Sequence, residues 1–408
     1  MLQGLRCSRK FTTYLPQSKA LTTKQLGNSI LATHQPTSTF AVYDMPRLDS
    51  LVDLWYKHLP SVHPFYAMKC NPNAEIVSRL ASLGVGFDCA SRAELESLSQ
   101  LNVPQEKNVI FAHPCKRQVD LQAIQSAGVN YTTFDSAEEL HKIRDFGLDV
   151  GLVLRIKVDD VGARCSFGKK FGALEEEIPT LMQTAQENGQ QVVGVSFHVG
   201  SDAKNPSIFY DAIKAADYAF RVGEKKGFDM HMLDIGGGFN YRSIAAAGEE
   251  VNRGLEDYFS KRQHVRVIAE PGRYFAESVV KLFVKVYGKR LRKVNGKERV
   301  DYWVTDGLYG NFNCMIYEDQ KPILQFMKPS RTGIKRPTTI WGPTCDSVDK
   351  VAEGEMEELD MGDWLAFENM GAYTAAAATN FNGIEMALHQ KFYLTQAEND
   401  VIVPQLAL

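Results

Sequence analysis

From about residue 62 onward, short apolar runs alternate with amphipathic stretches. The runs fall at 62–69, 85–90, 109–112, 131–135, 151–157, 192–199, 230–235 and 265–269. Short apolar runs bounded by polar or turn-forming residues predict buried strands. Between them the spacing predicts helices. Residues 91–101 place Leu95 and Leu98 on one face, and residues 136–146 open with a Ser-x-x-Glu capping box made by Ser136 and Glu139. Eight strand-then-helix units over about 210 residues predict an α/β fold, specifically a (β/α)8 TIM-type barrel.

The residues that close each run carry more information than the runs. In order they are Lys69, Asp88, His113, Asp135, Arg155, His198, the triplet Gly236-Gly237-Gly238, and Glu270 followed by Arg273. Ionisable groups recurring at one edge mark the C-terminal mouth of a barrel, where loops converge on a site. An open doubly wound sheet would also place chemistry at strand ends, so the edge pattern supports α/β and the count of eight supports a barrel.

After about residue 276 the texture changes. Segments 279–286, 302–305, 338–341 and 364–368 are short, aromatic or β-branched, and separated by Gly, Pro or Asp. They predict a C-terminal all-β domain. Residues 40–43 have the same character and are expected to pair into that sheet as an N-terminal strand. The expected organisation is therefore an extension over 1–37, disordered at its start, a strand of the β-domain over 38–43, the barrel over 44–275 and the β-domain over 276–408.

Composition narrows the function classes. Of 408 residues, 44% are hydrophobic and 23% charged, which is ordinary globular usage. The net charge of −3 does not advertise a polyanion, so nucleic-acid binding is disfavoured. Seven cysteines, with no C-x-x-C pair, argue against a disulfide framework and a zinc site and favour a reducing compartment. No apolar run reaches the ~18 residues that cross a bilayer. The first 43 residues contain Arg6, Arg9, Lys10, Lys19 and Lys24 and no Asp or Glu. That is the composition of a transit peptide and equally that of a solvated basic terminus. A cytoplasmic protein is expected.

Three glycines after a strand let backbone N–H groups approach an anion, and Arg273 follows the next strand, so a phosphate site is expected. Lys69 ends an otherwise apolar run, where desolvation would make an amine nucleophilic, although a lysine reaching solvent is the commoner case. Glu270 could keep a pyridine nitrogen protonated, and His198 could stack on a flat ring with Ser201 reaching a phosphate oxygen. A surface salt bridge and a core histidine are the plainer alternatives. Together the set points to pyridoxal phosphate (PLP) better than any member does.

Tyr-Ala-Met-Lys-Cys-Asn (66–71), Phe-Asp-Cys-Ala-Ser (87–91), Ser-Phe-His-Val-Gly-Ser (196–201), Leu-Asp-Ile-Gly-Gly-Gly-Phe (233–239), Ala-Glu-Pro-Gly-Arg-Tyr (269–274), Trp-Gly-Pro-Thr-Cys-Asp (341–346) and Glu-Asn-Met-Gly-Ala-Tyr-Thr (368–374) resemble the eukaryotic ornithine decarboxylases. The resemblance implies a barrel-fold PLP enzyme related in fold to alanine racemase. It implies that Lys69 holds the cofactor through its amine, His198 stacks on the ring, and Glu270 pairs with the ring nitrogen. Ser201, Gly236, Gly237, Gly238, Arg273 and Tyr373 would hold the phosphate, with Asp88, Glu94 and Arg155 ordering the barrel mouth.

The same resemblance implies a homodimer with shared active sites. Cys345 would be the acid that reprotonates Cα, Asp346 would bind the distal amine, and Lys170 and Asp349 would pair across the interface. An antizyme-type regulator is a candidate partner, and Lys116, Arg117, Lys142 and Arg144 supply positive charge in the relevant region. One departure stands out in the substrate-reading segment. Where the family carries Tyr-Asp-His, this chain has Tyr317-Glu318-Asp319. A glutamate is one methylene longer, which opens arginine, then lysine, as alternative substrates to ornithine. A non-catalytic relative would be expected to lack Lys69 or Cys345.

Overall fold

Every one of the eight apolar runs forms a strand, and the eight close on themselves. The computed structural model describes residues 12–17, 21–106, 108–158, 170–330, 332–386 and 389–396. Two strands precede the barrel, β1 (Thr12–Gln17) and β2 (Phe40–Asp44). The barrel strands are β3 (Val62–Ala67), β4 (Gly86–Cys89), β5 (Val109–Phe111), β6 (Tyr131–Phe134), β7 (Gly151–Arg155), β8 (Val192–Ser196), β9 (Met232–Asp234) and β10 (Arg266–Ala269). All neighbours are parallel, and β10 pairs with β3 to close the ring. Phe65, Ile110, Val153, Met232 and Ile268 pack into one buried apolar cluster.

The helices follow from local chemistry. Asn73 caps Ala74–Ser82 by accepting the N–H groups of Glu75 and Ile76 at 3.1 and 3.2 Å, and the buried face is Ile76, Val77 and Leu80. Ser136 caps Ala137–Phe146 through the N–H of Glu139 at 3.3 Å, and Gly147 ends it at φ 75°. Only half of the predicted capping box forms there. The Glu139 carboxylate instead takes the buried Lys116 at 3.0 Å and Lys142 at 2.5 Å, since pairing two ammonium groups outweighs one helix-end N–H.

The chain divides into two compact units, residues 49–276 and the combination of 1–48 with 277–408. In the second unit, β11 (Val280–Val294), β12 (Lys297–Val304), β13 (Ile323–Phe326), β14 (Lys335–Trp341), β15 (Lys350–Glu357), β16 (Trp364–Glu368) and β17 (Gln390–Gln396) complete a nine-stranded sheet. The N-terminal strand β2 pairs antiparallel with β11, as its apolar character predicts. Strand β11 runs eight residues beyond the predicted end. Its charged second half is held by cross-strand pairs of Arg290 and Arg292 with the buried Asp301 at 2.9 and 3.1 Å.

The unit is mostly sheet, and within 1–37 residues 12–17 form a strand and 23–34 a helix. Helix Thr23–His34 opens with a Thr22–Gln25 capping box and buries Leu26 and Ile30 against Phe40, Phe283 and Phe392. Strand β1 pairs parallel with β17. Residues 21–43 therefore belong to the folded core, whatever the composition suggests. Arg6, Arg9, Lys10, Lys19, Cys7 and Cys165 lie outside the described residues. The other five cysteines form no disulfide, and no described helix is long and apolar enough to cross a membrane.

Candidate active site

The barrel strands end in registered polar rows. Asp88 on β4 is registered with Ala67 on β3, Arg155 on β7 with Ser196 on β8, and Ser196 with Asp234 on β9. Asp88, Ser196 and Asp234 are all buried.

Lys69 does not end the strand. Strand β3 stops at Ala67, and a single 3-10 turn, Met68–Cys70, buries its first and last residues and turns Lys69 outward. Its Nζ donates to Oδ2 of Asp88 at 2.7 Å. The amine is held by a charge-assisted hydrogen bond to a buried carboxylate rather than activated by an apolar wall. Glu94, in the first turn of Arg92–Gln100, reaches back to the N–H of Ala90 at 2.6 Å. Burial pushes its carboxyl up, opposed by that N–H, and the charge of Asp88 adds to the rise.

Glu270 is held well above the usual carboxylate range, by burial first and then by the negative charges of Asp234 and Asp88. Burial also raises Asp234, whose Oδ1 accepts the N–H of Gly236 at 2.9 Å.

The glycine triplet is wedged at backbone distance. Gly236 and Gly238 adopt φ of 63° and 101°, and a Cβ on Gly237 would lie 2.7 Å from Nε2 of His198. The Glu270 N–H donates to the Gly236 carbonyl at 2.7 Å, tying the loop to the next strand end. Arg273 is buried at 4% exposure, with Nε 3.4 Å from the hydroxyl of buried Ser201. A buried guanidinium, a hydroxyl and a loop of left-handed glycines form a cradle for a phosphate. His198 accepts the N–H of Gly200 on Nδ1 at 3.0 Å, which leaves Nε2 as the protonated nitrogen of the neutral ring. These residues fit PLP. Arg155 stacks its guanidinium over Phe171 at 5.1 Å, and Lys170 lies over the same ring at 5.0 Å.

The sheet unit carries the remaining predicted residues. The loop between β14 and β15 holds Cys345, which is exposed and donates its N–H to Oδ1 of Asn382 at 2.9 Å. Asp346 accepts the hydroxyl of Tyr309 and the N–H of Val348, the latter at 3.0 Å, and the tyrosine hydrogen bond holds its carboxyl below the usual range. Tyr309 in turn stacks on Phe381 with ring centroids 4.4 Å apart. Tyr317 is exposed at 62%, whereas the neighbouring Glu318 is buried at 8%. Tyr373 is held at φ 53° beside the buried Thr374.

Asp349 is buried within its own unit. Its carboxylate accepts the N–H of Leu308 at 2.7 Å, and both the N–H and hydroxyl of Thr344 at 3.0 and 2.6 Å. It therefore braces the loop that presents Cys345 and Asp346. Lys116 is no surface charge either: it is fully buried and donates to the Thr133 carbonyl at 2.6 Å.

Three contributors are not evident from the chain pattern: Asp234, Tyr309 and Asn382. Asp234 has a signal, a carboxylate at the end of an apolar strand directly before the glycine run. Tyr309 and Asn382 have none, because their partners are distant in sequence.

A closed parallel barrel whose mouth joins an amine to a buried carboxylate, beside a phosphate cradle and a glutamate raised above the usual carboxylate range, defines a barrel-fold PLP enzyme. Residues 47–277 match the family described as pyridoxal-dependent decarboxylase, pyridoxal binding domain. The chain belongs to the pyridoxal-dependent decarboxylases. It is 43% identical over 356 residues to a chloroplastic ornithine decarboxylase of Nicotiana glauca, covering 84% of this chain and 81% of that protein. An ornithine decarboxylase of Schizosaccharomyces pombe is 41% identical over 360 residues, covering 86% and 82%. Among solved structures, the arginine decarboxylase of Paramecium bursaria Chlorella virus bound to agmatine superposes with a TM-score of 0.85 at 35% identity, covering 91% of this chain and 100% of that one.

Proposed function

We propose that the protein decarboxylates L-ornithine to putrescine in polyamine biosynthesis, as a PLP-dependent carbon–carbon lyase. The observation that carries this is the pairing of Lys69 with buried Asp88 at 2.7 Å in the mouth of a barrel that also holds the phosphate cradle. The relatives matched over more than four fifths of the chain supply the substrate.

Bound PLP supplies an electron sink for the carbanion left when CO2 departs. Lys69 would hold the cofactor through its amine, and Asp88 keeps that lysine in position. Arg273, Ser201 and the loop Gly236–Gly238 grip the phosphate, with Tyr373 as a further ligand. His198 offers a ring face, Glu270 keeps the ring nitrogen protonated, and Arg155 orders the mouth. Cys345 returns a proton to Cα, since a thiol is a competent acid near neutrality. Asp346, kept ionised by Tyr309, takes the distal ammonium, with Tyr317 and Glu318 lining the same end of the substrate.

This division of labour belongs to a homodimer in which the Cys345–Asp346 loop, braced by the buried Asp349 rather than paired through it with Lys170, serves the partner's barrel mouth. The cytoplasm is its proposed location, supported by the cysteines that form no disulfide and by the incorporation of residues 21–43 into the core; a transit peptide would have to lie before them. An antizyme-type regulator would find Arg117, Lys142 and Arg144 as its basic contacts, because Lys116 is buried.

Arginine is the second reading, favoured by Glu318 and by the arginine decarboxylase superposition; lysine ranks third. A competition assay of ornithine, lysine and arginine, with CO2 and amine quantified, decides between them. Ornithine is expected to show the highest kcat/KM, and Glu318→Asp should sharpen that preference. A clear arginine preference in the wild-type protein overturns the first choice.

A further inference from the structure

We propose that Asn382 is a positioning residue for Cys345: its side chain pins the backbone that aims the thiol, while Asp346 next door is held by separate anchors. The inference rests on the reading of Cys345 as the proton donor and adds the residue that places it.

Cys345 lies between two neighbours that are already fixed. Thr344 is tied inward, its N–H and hydroxyl donating to Oδ2 of Asp349 at 3.0 and 2.6 Å. Asp346 accepts the Tyr309 hydroxyl, and its Oδ1 takes the N–H of Val348 at 3.0 Å. Among the described residues, the one hydrogen bond to Cys345 runs from its N–H to Oδ1 of Asn382 at 2.9 Å. That bond holds the plane of the peptide joining Thr344 to Cys345, and so restrains the direction in which the cysteine side chain leaves the backbone. The residue is exposed, so burial does not hold it instead.

Asn382 is itself built into place. It sits at φ 57° and ψ 15° inside the turn Phe381–Gly383, a left-handed conformation that asparagine adopts more readily than most side chains. The N–H of Gly383 donates to the Asn380 carbonyl at 2.9 Å, and the N–H of Thr379 donates to the Tyr309 carbonyl at 2.8 Å. Phe381 stacks on the Tyr309 ring at 4.4 Å. The turn is thereby fastened to the same tyrosine that holds Asp346, which gives the thiol and the carboxylate one common support through two separate bonds.

The test uses the purified holoenzyme. Asn382→Gly removes the acceptor and keeps the left-handed backbone without strain, whereas Asn382→Asp restores an oxygen whose charge favours the protonated thiol. In hydrogen exchange read by fragment mass spectrometry, the Cys345 amide should exchange about 2- to 10-fold faster in Asn382→Gly, as the loss of one neutral hydrogen bond predicts. The remainder of the sheet unit should exchange as in the wild type. In turnover, kcat should fall about 10- to 100-fold, the effect of a misplaced catalytic group, while KM stays near its wild-type value because Asp346 keeps its own anchors. Asn382→Asp should restore both the protection and most of kcat. Unchanged exchange at Cys345, or unchanged kcat, overturns the proposal. So do kcat and KM changing together without rescue by Asn382→Asp, which would mean a general loosening of the loop. The exchange measurement needs no turnover and is independent of the acid reading; a wild-type amine yield from Cys345→Ala would overturn that reading, and the positioning role with it.

Discussion

Replacing Asp349 by asparagine separates two accounts of one carboxylate. Within its own unit it receives three donors, the Leu308 N–H at 2.7 Å and the Thr344 N–H and hydroxyl at 3.0 and 2.6 Å. Asparagine has one acceptor oxygen. If it keeps both Thr344 contacts, its NH2 faces the buried Leu308 N–H, and an unsatisfied buried donor costs about 1–3 kcal/mol. The two retained bonds lose their charge assistance, about another 1 kcal/mol together. Part of the loss returns through Asp306, whose carboxyl is pushed up to about 7 by burial, with the charge of Asp349 adding to the rise. A net destabilisation of about 1–3 kcal/mol is expected. Trp303, Trp341 and Trp364 belong to this unit, so urea unfolding followed by tryptophan fluorescence reports it. The loosened loop should also lower kcat. An interface role predicts something different: a loss that depends on protein concentration and is matched by Lys170→Met. Stability within about 0.5 kcal/mol of wild type, or that concentration dependence, would refute the bracing role.

Gly237→Ala should weaken PLP binding, because the new Cβ would lie 2.7 Å from Nε2 of His198 and 3.0 Å from the Glu270 carbonyl. Overpacking of about 1–3 kcal/mol corresponds to a rise in Kd of about 5- to 150-fold, measurable by equilibrium dialysis; an unchanged Kd would mean that this contact does not shape the cradle. His389 is buried and its ring is lowered to about 4, by burial first and then by Lys391. Since an unfolded histidine titrates near ~6.5, this contribution to stability is complete above that pH and is lost as the pH falls towards 4. It should cost about 2 kcal/mol at pH 5, seen as a drop in urea midpoint between pH 7 and 5 that shrinks in His389→Leu. An identical pH slope in the variant would show that the ring is not buried neutral.

Much of the fold is legible in the chain because its signals are local. A strand buried on both faces must be apolar throughout, and a helix laid on a barrel must repeat its apolar positions every three to four residues, so eight alternations can be read directly. The barrel mouth is legible for a related reason. An ionisable residue placed after an apolar run has few structural uses, and that placement alone singles out Asp88, Glu270 and Arg273. Charge, by contrast, misleads at both flanks. The basic composition of residues 1–43 hides a helix and two strands, and the Lys- and Arg-rich end of β11 hides half of a long hairpin held by Asp301.

The sequence by itself therefore determined the barrel, the flanking sheet and the cofactor class, through hydrophobic period and ordered motifs. Tertiary structure alone decided how the ionisable groups behave. Lys69 meets Asp88 because a 3-10 turn carries it past the strand end, Asp349 braces a loop because Thr344 and Leu308 meet it there, and Glu270 is raised because burial and the charges of Asp234 and Asp88 come together at the barrel mouth. Periodicity is a property of neighbours along the chain. Protonation and hydrogen bonding depend on burial and on charges brought together by folding, and neither is written in the spacing of residues.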